Sequence, residues 1–408
     1  MKVAILLGRG TEGCGVTQCA IQMQRSSGAK VFSCSDVKWP RRTANKFPGE
    51  YVELSFKTLN EDLITELNTY DVVVIYSVPS KSHPEETQEN FVTLLSRINT
   101  RKTFINVDHN IQSINRNAKL KEICDVCDIL LTHSTTNPFS EWVAKQGITT
   151  PLRKMRLGFD FDGHRHKYWL DVDNKDLKRV LWIGRTAGWK GPQLMIDFHN
   201  YSLRRDNYIT VLEGLEANIG YKGVLYFDKE NTVRRRVVNY FRPEKEHGDG
   251  KWSPDLYGTE KKGEVYLYPP YNNHEAMQRM AFAGFGSDLY HLKPKMYGNN
   301  IENCHAEVVA SGAIPIFHKH FGDHVIHHKT GDPVSKCDNS GTLFLDNTNY
   351  EEIADKMKEL VDNEYKYSDF REAAFEFWKS HADIDEVVKE ILDLSVTEAK
   401  QGIEEFFV

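Results

Sequence analysis

Two cations and three glycines stand within ten residues in the stretch WIGRTAGWKG at 182–191, which follows an apolar run. Gly184 permits a tight exit from a strand, and Pro192 occupies the position where the first turn of a helix begins. Arg185 brings a planar fork of donors and Lys190 a point charge, which together suit a diphosphate that leaves during a reaction. We expect both cations at the mouth of a ligand cleft. Taken alone, the stretch also fits a helix start with two solvated cations, and its spacing matches neither the dinucleotide fingerprint nor the P-loop.

Two further stretches carry residues that suit the same ligand. NCHAEVVASGAIPIF at 303–317 predicts a short helix followed by a buried strand, and Glu307 on that helix could accept both hydroxyls of a ribose. In GRGTEGCGVT at 8–17, Gly13 and Gly15 precede a helix N-terminus, where backbone N–H groups and the helix dipole favour an anion. Together the three stretches indicate a nucleoside diphosphate held between two domains.

Alternating strands and helices must position these residues. A β-α-β unit that turns on a glycine-rich loop opens the chain, and a second α/β series starts before Arg185. Buried strands are predicted at 2–7, 30–34, 71–77, 102–108, 128–134, 178–184, 208–214, 313–318 and 342–346. Three helical segments are predicted from Tyr350 onward. The fold class is therefore α/β, with two Rossmann-like domains of parallel sheet facing each other across a deep cleft.

The domain boundaries follow from composition. The segment 160–176 is polar and aperiodic, so we assign 1–170 to an N-terminal Rossmann-like domain and 171–383 to a second one. The highly charged stretch near 228–265 is expected to be an insertion on the second domain. Residues 384–408 are expected to form a C-terminal helix that crosses back to the N-terminal domain.

Composition limits the classes of function. The chain has 408 residues and a net charge of −6, so any contact with nucleic acid must come from a local basic patch. No apolar run is long enough to span a membrane, and MKVAILLGRG at the N-terminus is too short for a secretory signal. Cys124 and Cys127 lack the second pair that a zinc site needs. We expect a cytoplasmic monomer with no membrane contact, no bound metal and no tightly bound cofactor.

The motifs resemble a known family. GR and KG within 184–191, together with the E-x4-G-x-x-P pattern at Glu307, Gly312 and Pro315, resemble the retaining glycosyltransferases of the two-Rossmann-domain (GT-B) type, which use nucleotide-sugar donors. The resemblance narrows to the DNA α-glucosyltransferases of T-even bacteriophages. The stretches that carry it are RGTEGCGVT at 9–17, WIGRTAGWKG, DFH at 197–199, VLEGLE at 211–216, RMAFAGFG at 279–286 and IENCHAE at 301–307.

The resemblance implies a reaction, a donor site and an acceptor domain. A sugar would pass from a UDP-sugar, with retention, to the hydroxymethyl group of 5-hydroxymethylcytosine in double-stranded phage DNA. This would protect the DNA from restriction inside the infected cell, with the N-terminal domain binding DNA and the second domain binding the donor. Mg²⁺ could assist the diphosphate. The residues carried over as donor ligands are Gly13, Gly15, Gly184, Arg185, Lys190, Glu213, Gly284, Gly286, Glu302 and Glu307. Of these, Gly284 and Gly286 are expected to let the backbone approach the nucleotide or sugar.

The predicted catalytic residues are Asp108, His109, Arg185 and Lys190. Asp108 and His109 end a first-domain strand and could bind the sugar or orient the acceptor hydroxyl, while the two cations stabilise the leaving diphosphate. The resembling family carries HDH at this point, whereas this chain has Val107 in place of the first histidine. The sugar therefore stays open between glucose and a pentose such as arabinose. His133, at the end of another strand, is a further candidate or a structural residue.

Contacts to DNA phosphates are predicted from basic clusters, which would give affinity that depends on salt and does not read sequence. The candidates are Arg41, Arg42, Arg116, Arg153, Lys154, Arg156 and Arg165, and RRR at 234–236 lies in the charged insertion. The target base is expected to leave the duplex to reach the donor. Two other functions stay open. A transferase of this fold acting on a polysaccharide or lipid would need a membrane-docking helix, and a non-catalytic binding protein would lack the diphosphate cations.

Overall fold

The computed structural model describes residues 1–9, 15–34, 36, 50–107, 111–133, 138–185, 190–215, 265–268, 273–291 and 301–397. These residues form two compact units. Unit 1 combines Met1–Asp160 with the segment that starts at Ala382, and unit 2 lies between Phe161 and His381. The division after Asp160 falls within the polar 160–176 segment, ahead of the predicted boundary after residue 170. The insertion predicted near 228–265 lies outside the described residues, except that Val265 begins a strand.

Within its described part, unit 1 has one seven-stranded parallel sheet in the order β3-β2-β1-β4-β5-β6-β7. The strands are β1 (Val3–Leu7), β2 (Lys30–Cys34), β3 (Tyr51–Leu54), β4 (Val72–Ser77), β5 (Arg101–Asn106), β6 (Ile129–Thr132) and β7 (Leu152–Lys154). The helices among its described residues are α1 (Gly15–Ser27), α2 (Glu61–Leu67), α3 (Glu85–Arg97), α4 (Ile111–Ile114), α5 (Leu120–Val126), α6 (Pro138–Lys145) and the last described helix, Ile384–Thr397. Because every pairing is parallel, all carboxyl ends of these strands meet at one edge.

Both faces of this sheet are buried. Alternate residues of β1 point to opposite faces, so Ala4 and Leu6 join one apolar cluster while Val3, Ile5 and Leu7 join the other. The first cluster is covered by α2, α3, α5 and α6, and the second by α1 and the last helix. This two-sided burial explains why the strands read as continuous apolar runs rather than as an alternating pattern.

Unit 2 repeats the architecture with six parallel strands among its described residues, in the order β10-β9-β8-β11-β12-β13. The strands are β8 (Asp176–Arg185), β9 (Ile209–Leu215), β10 (Val265–Tyr268), β11 (Ala283–Asp288), β12 (Ile314–His318) and β13 (Leu343–Leu345). The helices are α7 (Phe161–Tyr168), α8 (Pro192–Phe198), α9 (Asn273–Phe282), α10 (Asn303–Ala310), α11 (Lys319–His324), α12 (Tyr350–Val361) and α13 (Glu364–Ala382). The helix Ile384–Thr397, which belongs to unit 1, is therefore α14. The predicted α/β class with parallel sheets is confirmed.

The strand order of unit 2 reverses at β8, which pairs with β9 on one side and with β11 on the other. The carboxyl ends of β8 and β11 are therefore adjacent at a topological switch point, where open α/β sheets bind their ligands. In the part of the chain that the structure describes, no helix has the length and apolar character needed to cross a membrane.

Candidate active site

A buried ion pair links Lys190, which lies shortly before α8, to Asp288 at the end of β11, the strand beside β8 at the switch point of unit 2. The Lys190 Nζ lies 3.3 Å from Asp288 Oδ2, and the side chains are 9% and 1% exposed. The ammonium also sits 4.4 Å from the ring centre of Tyr290 and 3.9 Å from Cys304 Sγ. The prediction that Lys190 extends over the mouth of a cleft is therefore wrong. Its charge is compensated inside the protein by a carboxylate that ends the neighbouring strand.

The electrostatics of the pair keep the lysine charged. Burial lowers the pKa of Lys190, but the negative charge of Asp288, with a smaller contribution from Glu302, outweighs burial, so the pKa lies above its ordinary value. Burial raises the pKa of the Cys304 thiol to about 12, so near neutral pH it is a neutral neighbour. The site therefore contains one fixed positive charge and its counter-ion.

The backbone around Lys190 is held by two contacts. Trp182 Nε1 donates a hydrogen bond of 3.1 Å to the Lys190 carbonyl. Gly191 has φ +65°, and a Cβ there would lie 2.5 Å from both the Cβ and the carbonyl oxygen of Leu289. Only glycine fits this left-handed position against its neighbour. Pro192 then begins α8, as predicted from the sequence.

Helix α10 lies beside the pair and carries the two glutamates of the sequence pattern. Glu302 is its N-cap residue, and its N–H donates to His305 Nδ1 at 3.3 Å. His305 is fully buried against Phe317 and Phe321, and burial lowers its pKa to about 4, so the imidazole is neutral. Glu307, one turn further, is partly buried. The helix start is thus fixed by a neutral histidine, while the donor-binding roles of both glutamates stay predictions.

Other predicted donor ligands are located only through their backbone. Gly184 and Arg185 end β8 and pair with Gly214 and Leu215 of β9, and Glu213 pairs with Ile183. Gly15 begins α1. Three predicted residues of the donor and catalytic sets, Gly13, Asp108 and His109, lie outside the described residues.

Gly284 and Gly286 have a packing role that the sequence analysis missed. A Cβ at Gly284 would lie 2.4 Å from the Leu177 carbonyl oxygen, and one at Gly286 would lie 2.5 Å from Met280 Sδ and 2.6 Å from Val308 Cγ1. Both glycines are buried in β11. Packing against β8, α9 and α10 already excludes a side chain at both positions. The approach of a nucleotide or sugar to them stays a prediction.

Two of the predicted DNA contacts are structural ion pairs. Arg156 is 7% exposed and pairs through its guanidinium with Glu390 of α14. Arg165 makes two bonds of 2.7 and 2.8 Å to Glu372 and stacks on Trp169 at 4.2 Å. The buried Arg156 is thus committed to a folding contact, whereas Arg165 is paired but partly exposed, so its contact with DNA stays a prediction.

The other basic candidates differ in exposure. Arg116 and Lys154 are exposed, and Arg153 is partly buried with Nη1 donating to the Leu152 carbonyl at 3.1 Å. Arg41, Arg42 and the RRR run at 234–236 are not among the described residues. Lys154 ends β7 and pairs with Thr132 at the end of β6, which puts it at the carboxyl edge of the unit 1 sheet.

These differences predict opposite effects of two substitutions. Lys154→Ala should lower the slope of log affinity for DNA against log salt by about one unit, because one phosphate contact is lost. Arg156→Met should leave that slope unchanged and lower the free energy of unfolding by about 1–3 kcal/mol. Fluorescence anisotropy over a salt series and thermal unfolding measure both. A reduced slope for Arg156→Met would show that this arginine reaches DNA.

The remaining candidates have structural surroundings. His133 is buried, with Nδ1 3.3 Å from the Asn106 carbonyl. Burial raises the pKa of both Cys124 and Cys127, which are buried thiols. Over the described ranges, no group of three or more histidine, cysteine, aspartate or glutamate residues could hold a metal ion.

Asp288 and Trp182 were not predicted as site residues from the sequence, although the sequence around Asp288 carries a signal. AGFGSD at 283–288 is a short apolar run that ends in a carboxylate, the pattern expected of a strand whose last residue faces a ligand. A buried ammonium held at the switch point by its counter-ion can stabilise negative charge that develops on a phosphate oxygen. Chemically, the site suits transfer reactions in which a phosphate or diphosphate leaves.

Comparisons with known proteins identify the family to which this chain belongs. The family model described as DNA alpha-glucosyltransferase matches residues 53–364. The DNA alpha-glucosyltransferase of Enterobacteria phage T4 is 26% identical over 421 aligned positions, which cover 97% of this chain and 99% of the phage protein. Solved structures of alpha-glucosyltransferase were obtained with UDP and a 13-mer DNA containing an HMU base (TM-score 0.82), and with UDP-glucose and DNA containing an abasic site (TM-score 0.81). Each is 25% identical and covers 97% of this chain and 99% of its own.

A more distant structure supports the fold alone. HepE of Anabaena in complex with UDP and glucose is 11% identical, with a TM-score of 0.55, and covers 96% of this chain and 99% of its own. Structures of this type share the GT-B architecture of two Rossmann-like domains. Because the family model spans well over half of the sequence, this chain belongs to the DNA α-glucosyltransferase family and has the GT-B fold.

Proposed function

We propose that this protein transfers a sugar from a UDP-sugar to the hydroxymethyl group of 5-hydroxymethylcytosine in double-stranded DNA, with retention at the anomeric carbon. The observation that carries the proposal is the buried Lys190–Asp288 pair at the switch point of unit 2. It is a fixed positive charge in the position where nucleotide-binding sheets hold phosphates. Membership in a family whose solved members bind UDP, UDP-glucose and DNA supports the donor and acceptor classes.

The proposed chemistry breaks one bond and forms one on the same face of the sugar. The bond from the anomeric carbon to the UDP oxygen breaks and its electron pair stays on the diphosphate. The hydroxymethyl oxygen forms the new bond, and its proton passes to the departing diphosphate. Lys190 and Arg185 stabilise the charge on the leaving group, a kind of preorganisation that contributes several kcal/mol, about 3–4 per donor. No covalent glycosyl-enzyme is required.

The remaining predicted residues have proposed supporting roles. Glu307 would bind the ribose hydroxyls, Glu302 the sugar and Glu213 the nucleotide. Asp108 and His109 would orient the sugar or the acceptor hydroxyl. Gly15 begins α1 and Gly13 stands two residues before it in the sequence, and the N-terminus of this helix would favour phosphate. Mg²⁺ would act as an activator.

DNA would be bound through exposed cations of unit 1. Arg116 and Lys154 are exposed, and Arg41, Arg42 and Arg153 complete the proposed phosphate contacts. The affinity would then fall steeply with salt, and the target base would leave the duplex so that its 5-substituent reaches the donor. We propose that the enzyme acts as a monomer in the cytoplasm of the infected bacterial cell, where the DNA substrate would be found. The transferred sugar would protect phage DNA from restriction.

The sugar is proposed to be glucose, because a solved family member was obtained with UDP-glucose. Arabinose is the competing donor, since the half-buried Val107, directly after β5, has a side chain that offers the sugar no hydrogen bond. The protein is incubated with 5-hydroxymethylcytosine DNA and each of a panel of UDP-sugars, and the digested nucleosides are weighed. DNA with unmodified cytosine is the control.

We expect a hexose adduct with UDP-glucose on the hydroxymethylated DNA and none on the control. A pentose adduct with UDP-arabinose alone would support sugar transfer to 5-hydroxymethylcytosine and show that glucose is the wrong sugar. The absence of any nucleoside adduct with every donor would contradict the proposed function.

A further inference from the structure

The Asp288 carboxylate is oriented by a backbone N–H as well as by Lys190. Its Oδ1 accepts the Tyr290 N–H at 3.1 Å, and its Oδ2 faces Lys190 Nζ at 3.3 Å. The side chain is 1% exposed, so water does not compete for either oxygen. A carboxylate fixed in this way determines where the ammonium lies, because the lysine stem is flexible and the aspartate is not.

The groups around the lysine leave Asp288 as its main source of stabilising charge. Cys304 is a neutral thiol, since burial raises its pKa to about 12, and His305 is neutral, since burial lowers its pKa to about 4. Tyr290 presents a ring face, and Glu302 contributes a weaker attraction than Asp288. Burial alone favours the uncharged amine. The charge of Lys190 therefore depends mainly on one carboxylate.

We propose that Asp288 is a positioning residue for sugar transfer, which holds the Lys190 ammonium charged and in place so that it meets the donor diphosphate without rearrangement. The inference rests on the proposed function and names a residue to which that function assigned no role. Asp288 acts through Lys190 and has no contact of its own with the substrate.

The proposal has a signature in the pH dependence of donor binding. In the wild-type protein the pKa of Lys190 is raised, so the ammonium persists as the pH rises through neutrality and beyond. Without the carboxylate, burial dominates and the pKa falls below its ordinary value, so the proton is lost at a lower pH. Asp288→Asn should therefore bind donor well at acidic pH and progressively worse as the pH rises.

The experiment measures the affinity for UDP-glucose by calorimetry from about pH 6 to about pH 8, where neither the diphosphate diester nor the uracil of the donor titrates appreciably and a strongly lowered lysine pKa is visible. The matched control is Asp176→Asn. Asp176, at the opposite end of β8, likewise accepts a backbone N–H two residues on, from Lys178, and faces a cation, Arg179. We expect a loss of about tenfold or more between the two pH limits for Asp288→Asn, because affinity that depends on the protonated lysine falls about tenfold for each pH unit above its pKa. The wild type and the control should show flat profiles.

Two further variants separate positioning from folding. Lys190→Arg combined with Asp288→Asn should bind donor with little pH dependence, because a guanidinium does not lose its proton. Asp288→Glu keeps a carboxylate and should show a flat profile with weaker affinity, even if Asp288→Asn proves too unstable to assay. Thermal unfolding at each pH accompanies every titration.

The outcomes distinguish the two claims. If the wild type binds UDP-glucose but Asp288→Asn shows the wild-type pH profile, or if Asp288→Glu becomes pH-dependent, the positioning role is overturned and the proposed function stands. If the wild type binds none of the UDP-sugars of the panel at any pH, the proposed function fails and the inference falls with it.

Discussion

Lys190→Ala is expected to impair both catalysis and folding. Loss of the ammonium removes a charge that would stabilise the leaving diphosphate, so kcat should fall roughly 100- to 1,000-fold. It also leaves Asp288 buried without a counter-ion, which should lower the free energy of unfolding by about 3–5 kcal/mol. Single-turnover transfer assays and chemical denaturation measure the two effects.

A double substitution separates these effects. Lys190→Met combined with Asp288→Asn removes both charges, fills the space of the lysine stem and keeps an oxygen for the Tyr290 N–H. Stability should return to near the wild-type value because an ion pair replaced by neutral groups of similar size costs little. Transfer should stay as low as in Lys190→Ala. Recovery of transfer along with stability would show that the lysine is only structural.

Gly191→Ala is expected to displace the backbone that carries Lys190. The left-handed conformation costs about 1–2 kcal/mol for any residue with a side chain. A methyl group 2.5 Å from Leu289 should add about 1–3 kcal/mol of overpacking and shift the loop. Donor affinity should fall together with stability, as measured by calorimetry and thermal unfolding.

Gly331→Ala is the matched control for this effect. Gly331 has φ +76°, but a Cβ there would meet no atom within 4 Å. The free energy of unfolding of this variant should fall only by the cost of the left-handed conformation, and the variant should bind donor like the wild type. Equal losses of stability in the two variants, with donor affinity intact in both, would contradict the role of the Leu289 contact.

The strands that carry the site were largely predictable because both sheets are buried on two faces. Such strands give apolar runs that stop at polar residues, and the run at 178–184 corresponds to β8, Asp176–Arg185. Pro192 marks the start of α8 because its fixed φ suits a first helical turn. Strand β11 was missed, since AGFGSD is short and weakened by two glycines.

Charge partners could not be predicted, since they are distant in sequence. Lys190 and Asp288 are 98 residues apart, Arg156 and Glu390 are 234 apart, and Arg165 and Glu372 are 207 apart. A cluster of basic residues looks the same in sequence whether its members are solvated or paired. Only the fold shows that RKMR at 153–156 contains both an exposed Lys154 and a buried Arg156.

Glycines pose the same problem. Gly191 was part of a predicted ligand loop, and its positive φ and its contact with Leu289 explain why that loop needs glycine. Gly284 and Gly286 gave an equally plausible ligand pattern, but Leu177, Met280 and Val308 fill the space beside them. Local sequence shows that a side chain is absent, and only the packing shows which neighbour requires its absence.

We propose that this protein glycosylates hydroxymethylated DNA and that the buried Lys190–Asp288 pair is required for the transfer. The most direct test quantifies glycosylated 5-hydroxymethylcytosine by mass spectrometry after a single turnover with UDP-glucose. It compares the wild type, Asp176→Asn and the stable Lys190→Met/Asp288→Asn variant. We predict glycosylated nucleoside from the first two and almost none from the third. No product from the wild type, or equal product from all three, would contradict the claim.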